Sequence, residues 1–111
     1  MIIPKRGDLI WLDFDPQAGH EQAGRRPAIV LSEHEFNEVT GFAVVCPITS
    51  QAKDYPFEVT LPEDLPFSGF VLTDQLKSLD VRQRRIQIAG HAEPTSEFMK
   101  SVLRNVRSIL A

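Results

Sequence analysis

The apolar residues of this chain come in short runs, and only the last of them has the spacing of a long helix. Leu9 to Phe14 alternates and carries Trp11 and Phe14, which reads as a strand whose aromatic side chains sit in the core. Asp15-Pro16 ends it. Ala28 to Leu31, Phe42 to Ile48, Phe57 to Leu61, Phe70 to Thr73 and Arg85 to Ile88 read as further strands. The stretch from Pro62 to Gly69 is rich in turn formers and reads as a loop. Short strands with no βαβ alternation point to a small antiparallel barrel and away from a doubly wound sheet.

Two helices complete the pattern. Ser32 with Glu35 three residues later has the form of a capping box, predicting a short helix through about Glu38, stopped by Thr40-Gly41. Pro94-Thr95-Ser96 opens a longer one. Its apolar positions Phe98, Met99, Val102, Leu103, Val106, Ile109 and Leu110 are spaced by threes and fours and make one wide stripe. No repeat, linker or low-complexity tract divides the chain. Its 111 residues are expected to form a single domain, 1–111.

Residues 19–32 are the most distinctive segment: Gly-His-Glu-Gln-Ala-Gly-Arg-Arg-Pro-Ala-Ile-Val-Leu-Ser. Gly19 and Gly24 permit unusual backbone angles. Pro27 forces Arg26 out of helical geometry. A polar loop bearing His20, Glu21, Arg25 and Arg26 thus runs straight into an apolar strand. A rigid sheet rim is where catalytic groups tend to sit. The plain alternative is a solvated loop whose charges serve solubility.

Composition excludes several classes. No apolar run reaches the roughly 20 residues needed to cross a bilayer. The N-terminus lacks the long apolar stretch of a signal peptide, so a cytoplasmic protein with no membrane partner is expected. Cys46 is the only cysteine, which rules out an internal disulfide and a cysteine zinc site. It reads as a small buried hydrophobe. His20, His34 and His91 are scattered, and no carboxylate cluster has ligand spacing, so neither metal nor cofactor is expected. The net charge of −3 is unlike a protein that grips nucleic acid over its whole surface. The cations are clustered, however. Arg25 is next to Arg26, and Arg82, Arg84 and Arg85 fall together. A small positive groove on an acidic body suits a short single-stranded segment.

Read together, Gly7-Asp8-Leu9-Ile10-Trp11-Leu12-Asp13-Phe14-Asp15-Pro16, the Gly-His-Glu-Gln-Ala-Gly-Arg-Arg-Pro loop, Val45 to Gln51, Tyr55 to Val59, Thr73 to Asp80 and Arg82-Gln83-Arg84 resemble, in order and spacing, the MazF/PemK family of toxin endoribonucleases. The resemblance covers nearly the whole chain from Arg6. It implies an SH3-like antiparallel barrel with a C-terminal helix, of the CcdB/PemK type. It also implies a homodimer with an RNA groove spanning the two copies, and a MazE-like antitoxin with an acidic, disordered tail.

The activity implied is sequence-specific, metal-independent cleavage of single-stranded RNA by the 2′-hydroxyl, leaving 2′,3′-cyclic phosphate and 5′-hydroxyl ends. Such a reaction needs a base, charge stabilisation and an acid. Glu21 is the candidate base. Its neighbouring arginines pull its pKa down and burial under RNA pushes it up, and the sequence does not say which prevails. Arg26 is the candidate for transition-state stabilisation through its planar fork. A guanidinium rarely gives up a proton, so the acid stays open between His20 and another group. Thr49 is expected to hydrogen-bond the scissile phosphate, with strand-end capping as its plain alternative.

The candidate RNA-binding residues are His20, Gln22, Arg25, Ser50, Gln51, Lys53, Tyr55, Asp74, Gln75, Lys77, Arg82 and Arg84. Asp74 and Gln75 are expected to read bases, and Lys77, Arg82 and Arg84 to contact phosphates. Tyr55 is open between base stacking and packing. Arg85 stands where the family often has glycine. Two other classes share the expected architecture. A gyrase poison of the CcdB type carries a Trp-Gly-Ile end, whereas this chain ends Arg107-Ser-Ile-Leu-Ala111. An SH3-like binding module would need none of the charged loop.

Overall fold

The computed structural model describes residues 2–14 and 24–111. Its strands are β1 (Asp8–Phe14), β2 (Gly24–Val30), β3 (Phe42–Thr49), β4 (Glu58–Thr60), β5 (Phe70–Leu72), β6 (Lys77–Asp80) and β7 (Gln87–His91). The helices are α1 (His34–Thr40) and α2 (Glu97–Leu110). Every strand pairing is antiparallel, in the order β4-β5-β3-β2-β1-β7, with β6 also on β3. The path is open: β4 and β7 end it without pairing to each other. The expected barrel is therefore a wrapped but unclosed sheet.

Its barrel-like character comes from two cores on opposite faces. Ile10, Leu12, Phe14, Ala28, Val30, Ala43 and Val45 of the strands bury one another together with Val81, which opens a 3₁₀ turn after β6, and neither α1 nor α2 contributes to this core. Leu9, Ile29, Cys46, Ile48 and Val71 face the other way, where Met99, Val102 and Val106 of α2 cover them. Strands buried on both faces explain why Ala28 to Leu31 reads as an unbroken apolar run. β3 is the hinge of the arrangement. Along one side it pairs with β2. Along the other, Phe42 to Val45 pair with β6 and Ile48 and Thr49 pair with β5.

The helices form as their sequences direct, with one difference. Ser96 caps α2, accepting a hydrogen bond from the Met99 N–H at 3.2 Å. Ser32 does not cap α1. The N-cap is Glu33, without a side-chain cap bond. Ser32 Oγ instead donates to Asn37 Oδ1 at 2.6 Å and accepts from the Val44 N–H at 2.8 Å, fastening the helix to β3. Gly41 ends α1 at φ 74, the left-handed geometry typical of a helix stop. β6 is absent from the sequence-based expectation, β2 begins four residues earlier than Ala28, and the last strand lies at Gln87–His91. No described helix is long and apolar enough to cross a membrane.

Candidate active site

The site grows from the register of β1, β2 and β3. Ala28 pairs with Pro47, and carrying that register outward sets Arg26 opposite Thr49. Trp11 pairs with Pro27 and Leu12 with Arg26. At this end of the sheet Trp11, Arg26, Pro27, Ile48, Thr49, Ser50, Pro66, Phe67 and Ser68 line one cleft of about 300 Å³. Two of the three expected catalytic residues thus meet, brought together by pairing between strands distant in sequence. Glu21, the third, lies outside the described residues, as do His20 and Gln22.

Thr49 is buried, and its Oγ1 accepts the Gln51 N–H at 3.2 Å. A hydroxyl that accepts in this way keeps its proton for a second partner. The loop after β4 is drawn over the cleft by Gly69. Its φ is +117, and a Cβ there would come within 2.2 Å of the Thr49 carbonyl oxygen. Only glycine allows that approach, and it carries Pro66, Phe67 and Ser68 to the rim. Trp11 departs from its expected place in the core. It is half-buried on the cleft wall, with Phe67 edge-on to it at 5.2 Å between ring centres. Leu9, two residues earlier on the same face, is fully buried. The face leaves the core between them, which alternation alone does not reveal.

The other expected RNA-binding residues divide by what holds them. Ser50, Gln51 and Lys53 are exposed beyond the end of β3, next to Thr49. The Lys53 and Asp54 N–H groups donate to the Glu58 carboxylate at 2.8 and 3.1 Å, which ties this segment back to β4. Tyr55 donates its hydroxyl to Asp74 Oδ1, and its ring sits edge-on to Phe57 at 6.3 Å. Burial first, then the Asp74 carboxylate, pushes the Tyr55 phenol well above its ordinary range. Asp74 and Gln75 lie in a 3₁₀ turn after β5, and Lys77 begins β6.

The arginines are engaged with the protein. Asp13 receives Arg85 Nε at 2.7 Å and Arg25 Nη1 at 3.2 Å. Those guanidiniums, Arg85 foremost, hold its carboxyl below the ordinary value of 3.8. Arg84 Nη1 donates to the Asp13 carbonyl at 3.0 Å. Arg82 grips Asp80 at 3.2 and 3.3 Å and lies against Gly41. Arg85 has φ 50, the left-handed region that favours glycine, at the position where the family often has one. Cys46 is buried, and burial pushes its thiol up to about 12, which fits an inert core residue.

The family model for PemK-like, MazF-like toxins of type II toxin–antitoxin systems matches residues 5–110. The endoribonuclease toxin MazF of Escherichia coli K12 is 48% identical over 92 residues, which cover 83% of this chain and 82% of that protein. The crystal structure of MazF from Deinococcus radiodurans matches with a TM-score of 0.91 and 50% identity, covering 99% of this chain and 98% of that one. A crystal structure of MazE–MazF from the same organism matches at 0.85 and 50% identity, covering 99% and 97%.

Proposed function

The chain belongs to the family of PemK-like, MazF-like toxins of type II toxin–antitoxin systems and is an endoribonuclease, and from that premise we propose that it cuts single-stranded RNA internally by 2′-hydroxyl attack. The observation that carries this reading is one cleft lined by a guanidinium, a hydroxyl and an aromatic ring: Arg26, Thr49 and Trp11. The ribose 2′-oxygen bonds to phosphorus while the bond from phosphorus to the 5′-oxygen breaks. The products are a 2′,3′-cyclic phosphate and a 5′-hydroxyl. RNA brings its own nucleophile, so this chemistry requires no metal in principle.

Glu21 takes the 2′-proton. Arg26 sets two N–H donors against the phosphorane oxygens, where charge builds up in the transition state. Thr49 donates its remaining proton to a phosphate oxygen. His20, or a group delivered with the substrate, protonates the leaving 5′-oxygen. Ser50, Gln51 and Lys53 continue the track for the RNA. Two copies form the working unit, with RNA lying in a groove that spans them. The protein acts in the cytoplasm, where cutting mRNA stops translation and growth. A MazE-like antitoxin with an acidic, disordered tail restrains it, in keeping with the MazE–MazF complex of the Deinococcus relative.

The test is incubation of pure protein with a long single-stranded RNA and mapping of both product ends. Cutting at one short motif, with cyclic-phosphate and 5′-hydroxyl ends, is expected to persist in EDTA. RNA carrying a 2′-deoxyribose at the cut position should bind and resist. Complete inhibition by EDTA that magnesium reverses would overturn the mechanism.

A further inference from the structure

A second charged cleft lies at the other end of the sheet. Lys100, Arg104 and Arg107 stand at i, i+4 and i+7 on α2 and share one stripe of that helix. With Arg6, Pro94 and Leu103 they line a cleft of about 490 Å³. It shares no residue with the cleft around Arg26 and Thr49. Arg6 binds the Leu31 carbonyl at 2.6 Å, just past the end of β2, whereas Arg26 lies near that strand's start.

The four cations are not equally engaged. Arg6 Nη1 reaches Glu33 at 3.5 Å, and Lys100 reaches Glu97 at 3.6 Å. Arg104 and Arg107 are exposed and have no acidic partner among the described residues. Like charges one helical turn apart destabilise a helix. The stripe is thus an arrangement that an anionic occupant would relieve.

We propose that this face binds a short acidic peptide segment of a partner protein, two or more carboxylates flanking one apolar side chain. The guanidiniums of Arg104 and Arg107 suit paired contacts to carboxylates. Leu103 and Pro94 line the same cleft and give the apolar side chain a seat. Glu33 and Glu97 pair with Arg6 and Lys100, which leaves Arg104 and Arg107 as the main cations for an occupant. Two guanidiniums beside an apolar seat suit a short peptide with an apolar side chain better than a long phosphodiester chain. The inference rests on the toxin–antitoxin reading only in requiring a protein partner, and it does not depend on the RNA chemistry. A partner held here is anchored without occupying the catalytic cleft.

The experiment is fluorescence anisotropy with the full chain and two labelled probes. One is the peptide Asp-Glu-Leu-Glu-Asp, the other an all-2′-deoxy single-stranded oligonucleotide. The peptide should bind, and more weakly as salt rises. The double variant Arg104→Gln/Arg107→Gln should weaken it by about tenfold or more, since charged hydrogen bonds are lost. Replacing leucine by serine in the probe should weaken it by about threefold to tenfold. Val39→Glu/Thr60→Glu alters net charge equally at exposed positions and should leave the affinity within about twofold. RNA cleavage by the Arg104→Gln/Arg107→Gln variant should match that of the parent. The proposal is overturned if the parent does not bind the peptide, or if the arginine variant binds it as tightly. It is also overturned if oligonucleotide binding, and not peptide binding, falls in that variant. Absence of RNA cleavage by the parent would instead count against the catalytic reading and leave the peptide result standing.

Discussion

Arg25 and Arg26 are adjacent in sequence and belong to different parts of the molecule. Arg25 joins Arg85 on the Asp13 carboxylate, while Arg84 holds the carbonyl of the same residue and Arg82 grips Asp80 close by. That corner is built of cations facing carboxylates. Arg26, one residue on and therefore on the opposite face of the strand, lines the cleft with Thr49. No carboxylate lines that cleft among the described residues. The guanidiniums on Asp13 and Asp80 fix the shape of the corner. The cleft sets a guanidinium beside a hydroxyl and an aromatic ring, groups that suit a phosphate and a base. In the sequence Arg25, Arg82 and Arg84 read as RNA contacts, and Arg26 and Thr49 as catalytic candidates. The structure adds which residues share each region.

The strongest way to break this contrast is to remove one arginine from each region. Arg26→Ala is expected to lower turnover at saturating RNA by about a hundredfold or more, the scale for losing a transition-state donor. Affinity for 2′-deoxy-blocked RNA should change much less, because the contact strengthens only as charge develops. Arg82→Ala should leave turnover within about threefold, with its effect falling on thermal stability. Single-turnover cleavage and binding titrations for both variants decide the matter. Equal losses of turnover would erase the distinction.

Thr49→Val sharpens the comparison within the cleft. It keeps the shape of the side chain and removes the proton offered to the phosphate. A drop in turnover of about tenfold to a hundredfold is expected. Strand-end capping alone predicts an altered melting temperature with turnover nearly intact. Measuring both on one preparation separates the readings, since the Gln51 N–H loses its acceptor in either case.

Much of this fold was legible because the signals were local. Ser96 and the apolar stripe after it specify α2 through capping and helical spacing, and Gly41 marks the end of α1. What stayed hidden depends on distant partners. Lys77–Asp80 has mixed polarity and one large apolar residue, Leu79, and it becomes a strand because β3 offers it a free edge. Ser32 has the right neighbours for a cap, yet its hydroxyl is taken by Asn37 and Val44. Arg26 and Thr49 were each legible as candidates. Their juxtaposition depends on the β2–β3 register, and the place of Trp11 on where its strand leaves the core.

The carboxylate corner makes its own prediction in acid. Asp13 has its carboxyl held below 3.8 by Arg85 and Arg25. A group whose pKa is lowered by folding stabilises the fold at pH values above its unfolded value and stops doing so as pH falls through its folded value. The stability difference between the parent and Asp13→Asn should therefore be steady at neutral pH and shrink below about pH 4. Thermal melts across that range measure it. A difference that grows in acid would show that the carboxylate is not what stabilises the corner.

The smallest effect concerns the backbone of the same corner. Arg85 has φ 50, and its side chain binds Asp13 at 2.7 Å. Arg85→Ala and Arg85→Gly both delete that contact, so comparing them isolates the backbone. Left-handed geometry disfavours alanine relative to glycine by about 1 kcal/mol, offset in part by glycine's greater freedom when unfolded. The glycine variant should therefore melt at the higher temperature of the two by a few degrees. Its turnover should equal that of the alanine variant, because neither change reaches the Arg26 cleft. Should the alanine variant prove the more stable, the corner would have to relax out of the left-handed region once freed from Asp13, and the ion pair itself would be what imposes that geometry.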